Sequence, residues 1–316
     1  MNVVPELTRY ADGITAVDTG YVRPRFDASH VVVDDGRAAF VDTGTTHSVP
    51  RLLAALEALG VAPGQVDWVL ITHVHLDHAG GAGALMRHLP NARCAIHPRG
   101  ARHLVDPAKL IAGSIAVYGE ERYHALYGDI VPIPEDRVHV AGDGERITLG
   151  RRTLELLHTP GHALHHYCIA DLDHRRMFTG DTFGLSYRDF DVDGRAFILP
   201  TTTPVHFDPD ALIASVDRIL SYRPQAIYLT HYGEITEIER LGRELKQRVA
   251  DFVRLARDLA GAPDRTARMQ EDMFRLLSVW LDEHGYAGDR AERHAVLDGD
   301  VELNVQGLEH WLDRAA

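Results

Sequence analysis

Short apolar runs separated by turn residues fill the first seventy positions. Residues 14–17, 30–33 and 38–41 read as strands, and Asp34-Asp35-Gly36 reads as the hairpin turn between the last two, so the chain opens on antiparallel β structure. The period then changes. Val49, Leu52, Leu53, Leu56 and Leu59 recur at helical spacing, and Gly60 supplies a C-cap. A strand at 66–71 follows, and residues 79–85 read as the start of another helix. A second block repeats this order, with strands predicted at 93–97, 137–140, 145–148, 153–158, 167–170 and 177–179. A helix at 209–220, carrying Leu212, Ile213, Val216, Ile219 and Leu220 on one face, then precedes a strand at 226–229.

Two blocks of strands and helices predict an α/β protein in which two sheets pack together with helices outside, a four-layer αββα sandwich. From about Ile235 the strand signal ceases. Leu241, Leu245, Val249, Phe252, Val253 and Leu255 form an amphipathic helical stripe, which predicts a helical C-terminal extension at 241–316 after a catalytic domain at 1–240. That stripe could pack on its own domain or on a second subunit, so a homodimer is an expectation. Two segments interrupt the β pattern. Residues 100–135, with Tyr118, Tyr123 and Tyr127, suggest a helical excursion or lid, and residues 183–208 suggest a long loop of the kind that usually serves function.

Composition narrows this picture. In 316 residues of 45% hydrophobic content, no apolar run reaches the roughly 18 residues of a membrane span. The start, Met1-Asn2-Val3-Val4-Pro5-Glu6, lacks the basic and apolar regions of a secretory signal, so a cytoplasmic location is expected. Cys94 and Cys168 lie in strand-like surroundings and read as buried free thiols. The formal net charge of −13, without a basic patch, argues against a nucleic-acid partner. Among the 20 histidines, His88, His97, His103, His124, His139, His284, His294 and His310 read as solvated or hydrogen-bonded surface residues.

The chemistry concentrates in His73-Val74-His75-Leu76-Asp77-His78, which directly follows the apolar strand and precedes Gly80-Gly81. Imidazole and carboxylate together suit zinc, iron or manganese, whereas calcium and magnesium prefer oxygen shells. An extended backbone would point His73 and His75 to one side, and a turn into a helix would swing Asp77 and His78 toward a neighbouring position. Three further strand ends each carry a ligand type: His162 after Thr159-Pro160-Gly161, Asp181 after Thr179-Gly180, and His231 after Leu229-Thr230.

Taken together, His-x-His-x-Asp-His followed by isolated His, Asp and His resembles the signature of the metallo-β-lactamase superfamily over residues 10–235. The resemblance implies a first metal held by His73, His75 and His162, a second held by Asp77, His78 and His231, and Asp181 bridging the two. It implies two divalent transition-metal ions, zinc in the first place with iron or manganese as alternatives. Asp42 has two readings, a buttress behind the ligands or a turn aspartate capping its neighbours. His158, His165 and His166 read as structural, and Tyr187 as a packing residue.

Two ions sharing one water make a nucleophile without serine or cysteine, and no Gly-x-Ser-x-Gly elbow competes. The expected activity is hydrolysis of an ester, thioester or lactone bond of a small molecule by a metal-bridging hydroxide. Asp77 and Asp181 are its catalytic residues. Among branches of the family, the motifs are similar to those of hydroxyacylglutathione hydrolases and lactonases. A single-iron persulfide dioxygenase and a phosphodiesterase are the alternatives, the latter disfavoured by the net charge.

Overall fold

The computed structural model describes residues 4–203 and 205–315. Met1-Asn2-Val3 of the start read above, and Pro204 of the second irregular segment, lie outside them. Contacts divide the chain into two units. The first comprises residues through His158, His165–Gly180 and Gln225–Glu234; the second comprises Thr159–Leu164, Asp181–Pro224 and the chain from Ile235 onward.

Two sheets form the frame. The strands are β1 (Leu7–Arg9), β2 (Ile14–Asp18), β3 (Ala28–Asp34), β4 (Arg37–Val41), β5 (Val66–Leu70), β6 (Arg93–Ile96), β7 (Val138–Val140), β8 (Glu145–Leu149), β9 (Arg152–His158), β10 (Tyr167–Asp171), β11 (Arg176–Gly180), β12 (Ala226–Leu229) and β13 (Gly233–Ile235). Strands β1 to β7 follow chain order in one seven-stranded sheet, and β13-β12-β11-β10-β9-β8 make the six-stranded second. Each sheet is mixed. The first is antiparallel from β1 to β4 and parallel from β4 to β7; in the second, β11 and β12 run parallel.

The strands are apolar on both faces because each face meets a different core. In β3, β4 and β5, Val31, Ala38, Phe40, Val69 and Ile71 turn outward to Leu52 and Leu56 of α1 (Val49–Ala58). Val32, Ala39, Val41 and Leu70 turn inward to Leu154, Leu156, Ile169, Phe178 and Tyr228 of the facing sheet. The architecture is the αββα sandwich the pattern predicts, followed by a helical C-terminal stretch.

The shorter helices of the first unit are α2 (Leu76–Ala79), α3 (Ala82–Met86), α4 (Pro98–Val105), α5 (Ala108–Tyr118) and α6 (Glu120–Tyr127), so the predicted excursion at 100–135 is helical. The second unit contributes α7 (Pro209–Ser221), α8 (Ile238–Leu259), α9 (Arg265–His284) and α10 (Arg290–Ala315). In that unit Arg248 lies between the rings of Phe197 and Trp280, 4.3 and 5.1 Å from their centroids. Asn304 of α10 accepts from the backbone of Thr202, which pins the irregular segment down. Tyr187 is fully buried and its phenol donates to Asp300 at 3.1 Å, a packing role as expected.

The three-residue β1 and β13 are additions to the strands that the pattern predicts. Two histidines assigned to the surface are instead buried. The His97 ring packs 4.1 Å from that of His158 and its Nδ1 caps α4 through the Arg99 amide, while His284 closes on Phe197 at 5.4 Å. Both cysteines are buried thiols, and burial pushes the Cys94 thiol up to about 12.

His30 on β3 is the test of the inner core. It meets Phe178 and Tyr228 edge-on at 5.5 and 5.6 Å, and its Nε2 has no hydrogen-bond partner among the described residues. Burial lowers its pKa to about 4. The folded protein therefore binds this proton more weakly than the unfolded chain, whose histidine titrates near 6.5. The stabilisation is complete above about pH 6.5 and is lost toward pH 4 at about 1.4 kcal/mol per unit. Urea unfolding at pH 7 and pH 5 should show the wild type losing about 2 kcal/mol more than His30→Phe. Equal losses would contradict a buried neutral imidazole.

Candidate metal centre

The parallel pairs β4–β5 of the first sheet and β11–β12 of the second deliver their strand ends side by side, and the candidate ligands follow those ends. Past β5 the chain stays extended through Thr72 to His75. Val74 enters the helix-side core, so His73 and His75 project together on the other side, with His73 Nε2 2.8 Å from His75 Nδ1. Two ring nitrogens that close must share a proton or an ion. Helix α2 then begins at Leu76 and carries Asp77 and His78, whose ring stands 4.0 Å from that of His73.

The ligand atoms of Asp77, His78 and His231 all lie within 4.8 Å of one another. Asp77 Oδ2 stands 3.4 Å from His231 Nε2 and 3.8 Å from His78 Nε2. Two ligands on a tetrahedral zinc, at about 2.0–2.1 Å each, stand about 3.3–3.4 Å apart, so the Asp77–His231 pair is spaced as two ligands are.

Three of the imidazoles are aimed by their other nitrogen. His231 Nδ1 donates to the Phe26 carbonyl at 2.8 Å, His78 Nδ1 donates to Asp42 Oδ2 at 2.8 Å, and His73 Nδ1 lies 3.1 Å from the Thr72 hydroxyl. In all three, donation from Nδ1 keeps Nε2 unprotonated. Asp42 is fully buried in a left-handed backbone conformation (φ +55°). It also accepts from the Thr72 amide at 2.8 Å, the Thr72 hydroxyl at 2.9 Å and the Thr230 hydroxyl at 2.8 Å. Of the two readings of Asp42, the structure places it behind His78 as a buttress.

The remaining two predicted residues lie in the second unit. His162 Nε2 is 3.4 Å from Asp181 Oδ2, and both side chains are buried. A Cβ on Gly161 (φ +127°) would come 2.2 Å from the Leu212 amide nitrogen, so only glycine lets that loop approach α7. Gly180 (φ +46°), the residue before Asp181, has equally little room: a Cβ there would stand 2.7 Å from the Thr72 hydroxyl and from His166 Nε2. His166 stacks on His73 at 4.9 Å, and His165 Nδ1 accepts from the Val74 amide at 3.5 Å.

The comparisons with known proteins bear directly on this donor set. The family model described as the metallo-beta-lactamase superfamily matches residues 22–231. The chain belongs to the metallo-beta-lactamase superfamily. Relatives include a hydroxyacylglutathione hydrolase of Xanthomonas euvesicatoria, 32% identical over 82% of this chain and 96% of that protein. A metallo-beta-lactamase fold-containing protein of Sulfurisphaera tokodaii is 24% identical over 82% of this chain and 93% of its own length. In structure, the archaeal metallo-beta-lactamase superfamily protein from Sulfolobus tokodaii superposes with a TM-score of 0.66 at 21% identity, covering 95% of this chain and 99% of that one. A metallo-beta-lactamase family protein from Thermus thermophilus gives 0.63 at 19% identity, covering 99% and 92%. Like other members of its superfamily, the chain carries His and Asp clusters able to hold divalent metal. No helix among the described residues is long and apolar enough to cross a membrane.

The supporting residues were the ones the sequence reading overlooked. Thr72-His73 and Thr230-His231 repeat a Thr-His pair at two strand ends, and both hydroxyls meet on Asp42; that repeat was the available signal. Asp27 had none. It is fully buried, it accepts from the Thr19 hydroxyl at 2.8 Å, and burial raises its carboxyl to about 7 against the opposing pull of His231 and His78. If Asp42 orients His78 as a ligand, Asp42→Asn should weaken metal binding by about 10–100-fold in competition against a chelator. Unchanged affinity would remove Asp42 from the centre.

Proposed function

We propose that this superfamily member is a two-ion hydrolase of ester, thioester or lactone bonds in small molecules. In this reading residues 1–240 form the metal-binding catalytic domain and 241–316 its helical extension. His73, His75 and His162 would hold the first ion, Asp77, His78 and His231 the second, and Asp181 would serve both. The observation that carries the reading is the ligand spacing at Asp77, joined to three imidazoles whose second nitrogens are already committed.

The donor set fits. Neutral imidazoles and carboxylates suit zinc first, with iron and manganese compatible, and none of the residues is a soft thiolate. When bound, such ions lower the pKa of a water and polarise a carbonyl or phosphoryl oxygen. The chain's own contribution is orientation. His75 and Asp77 are the half-buried members of the set, so they face the side from which a substrate arrives, while His73 and His78 are sealed behind them. Asp77, with its second oxygen, is placed to hold the proton of an attacking water. The hydroxyacylglutathione hydrolase relatives support thioester and ester substrates over phosphodiesters, as does the net charge of −13.

A panel of thioesters, lactones, phosphodiesters and β-lactams offered to metal-loaded protein tests the reading. Thioester or lactone turnover is expected, and Asp181→Ala should lower kcat/KM by about a hundredfold or more, at least ~2.7 kcal/mol of transition-state stabilisation. Full activity in that variant, or turnover of a phosphodiester alone, would contradict it.

A further inference from the structure

Helix α5, Ala108-Lys109-Leu110-Ile111-Ala112-Gly113-Ser114-Ile115-Ala116-Val117-Tyr118, carries one charged residue and buries none of its eleven. Its Leu110, Ile111, Ile115 and Tyr118 form a partly buried inward stripe, while Ala112, Ala116 and Val117 are exposed. Its Val117 is 58% exposed, and Val22, on the loop after β2, is 64% exposed.

Between these exposed residues and the metal ligands runs an unbroken row of rings. His231 meets Phe26 at 5.2 Å, Phe26 meets Tyr21 at 5.8 Å, Tyr21 meets Tyr127 at 5.9 Å, and Tyr127 meets Tyr118, the last residue of α5, at 5.7 Å. The Tyr21 hydroxyl donates to that of Tyr127 at 3.1 Å, so the two phenols satisfy each other and the row offers ring faces more than polar edges. Leu76, the neighbour of Asp77, packs with Tyr123 and Tyr127, and Leu110, Ile111 and Ile115 of α5 pack onto the same cluster. This cluster is therefore continuous with the segment that carries Asp77 and His78.

We propose that the substrate carries an apolar acyl chain that lies along Phe26, Tyr21 and Tyr118 against α5, with its carbonyl at Asp77 and His231. This rests on the hydrolase reading above and names its substrate class. A second copy of the chain or a lipid surface would also cover α5, but neither would use a row that ends on a metal ligand.

The test is a series of p-nitrophenyl esters from acetate to decanoate on metal-loaded protein. It is paired with calorimetric titration of decanoate and acetate into protein without added metal. Each buried methylene is worth about fourfold, so kcat/KM should climb by up to about that factor per carbon before levelling, and decanoate should bind where acetate does not. In Val117→Glu/Tyr118→Ala the decanoate-to-acetate ratio should fall at least about tenfold, chiefly through KM. Equal kcat/KM for acetate and decanoate overturns the chain-binding row while leaving the hydrolase reading intact. If no ester of any length is hydrolysed, the hydrolase reading fails, and decanoate binding alone decides the row. A wild-type dimer that the double variant dissociates with the ratio unchanged, or co-sedimentation with phosphatidylcholine vesicles, assigns α5 to another occupant and overturns the proposal.

Discussion

Asp42 stands at the end of β4 with no solvent exposure, and its two oxygens accept from the backbone and hydroxyl of Thr72, the hydroxyl of Thr230 and Nδ1 of His78. Thr72 follows β5 in the first sheet and Thr230 follows β12 in the second, so a single carboxylate ties strand ends of both sheets together. A buried carboxylate without partners costs several kcal/mol, which is why these groups must converge on it for the fold to be stable. Their convergence also sets the ligands. The residues next in sequence to the two threonines are His73 and His231, and the third donor is itself a ligand type. Fold stability and ligand orientation are here the same hydrogen bonds.

The sandwich explains why that arrangement is rigid. Two apolar cores lie on the two faces of the first sheet, and the strands that end at the ligands are buried on both sides. Sliding a strand by one residue would exchange its inner and outer side chains, so register is strongly specified and the loops beyond the strands inherit that precision. The exposed side of the centre is of different character. His75 and Asp77 are half-buried, and Leu76 between them packs with Tyr123 and Tyr127 of α6 and with Leu110, Ile111 and Ile115 of α5.

Most of the frame was legible in the sequence for a physical reason. Buried strands announce themselves as apolar runs, and ligands at the tips of such runs have no competing use for imidazole or carboxylate at that density. The His73 to His78 cluster, Asp181 after Gly180 and His231 after Thr230 could all be read in this way. What the pattern did not reveal are contacts made across long separations by ordinary residues. Asp27 and Tyr21 sit beside the ligands only after folding, and nothing local distinguishes them from loop residues. His97 and His284 failed in the opposite direction: a polar residue in a polar stretch reads as surface, and only packing against His158 or Phe197 reveals that it is buried. The pairing of the long C-terminal helices was equally hidden, since an amphipathic stripe states that a helix packs but not on what.

The central claim, that the ligands serve two ions, is most directly tested by metal stoichiometry. Zinc titrated into chelator-treated protein and counted by elemental analysis should saturate at about two ions per chain, the number the full donor set implies. Asp77→Ala should bind one. A wild-type protein that binds a single ion, zinc or iron, under the same conditions would contradict the account.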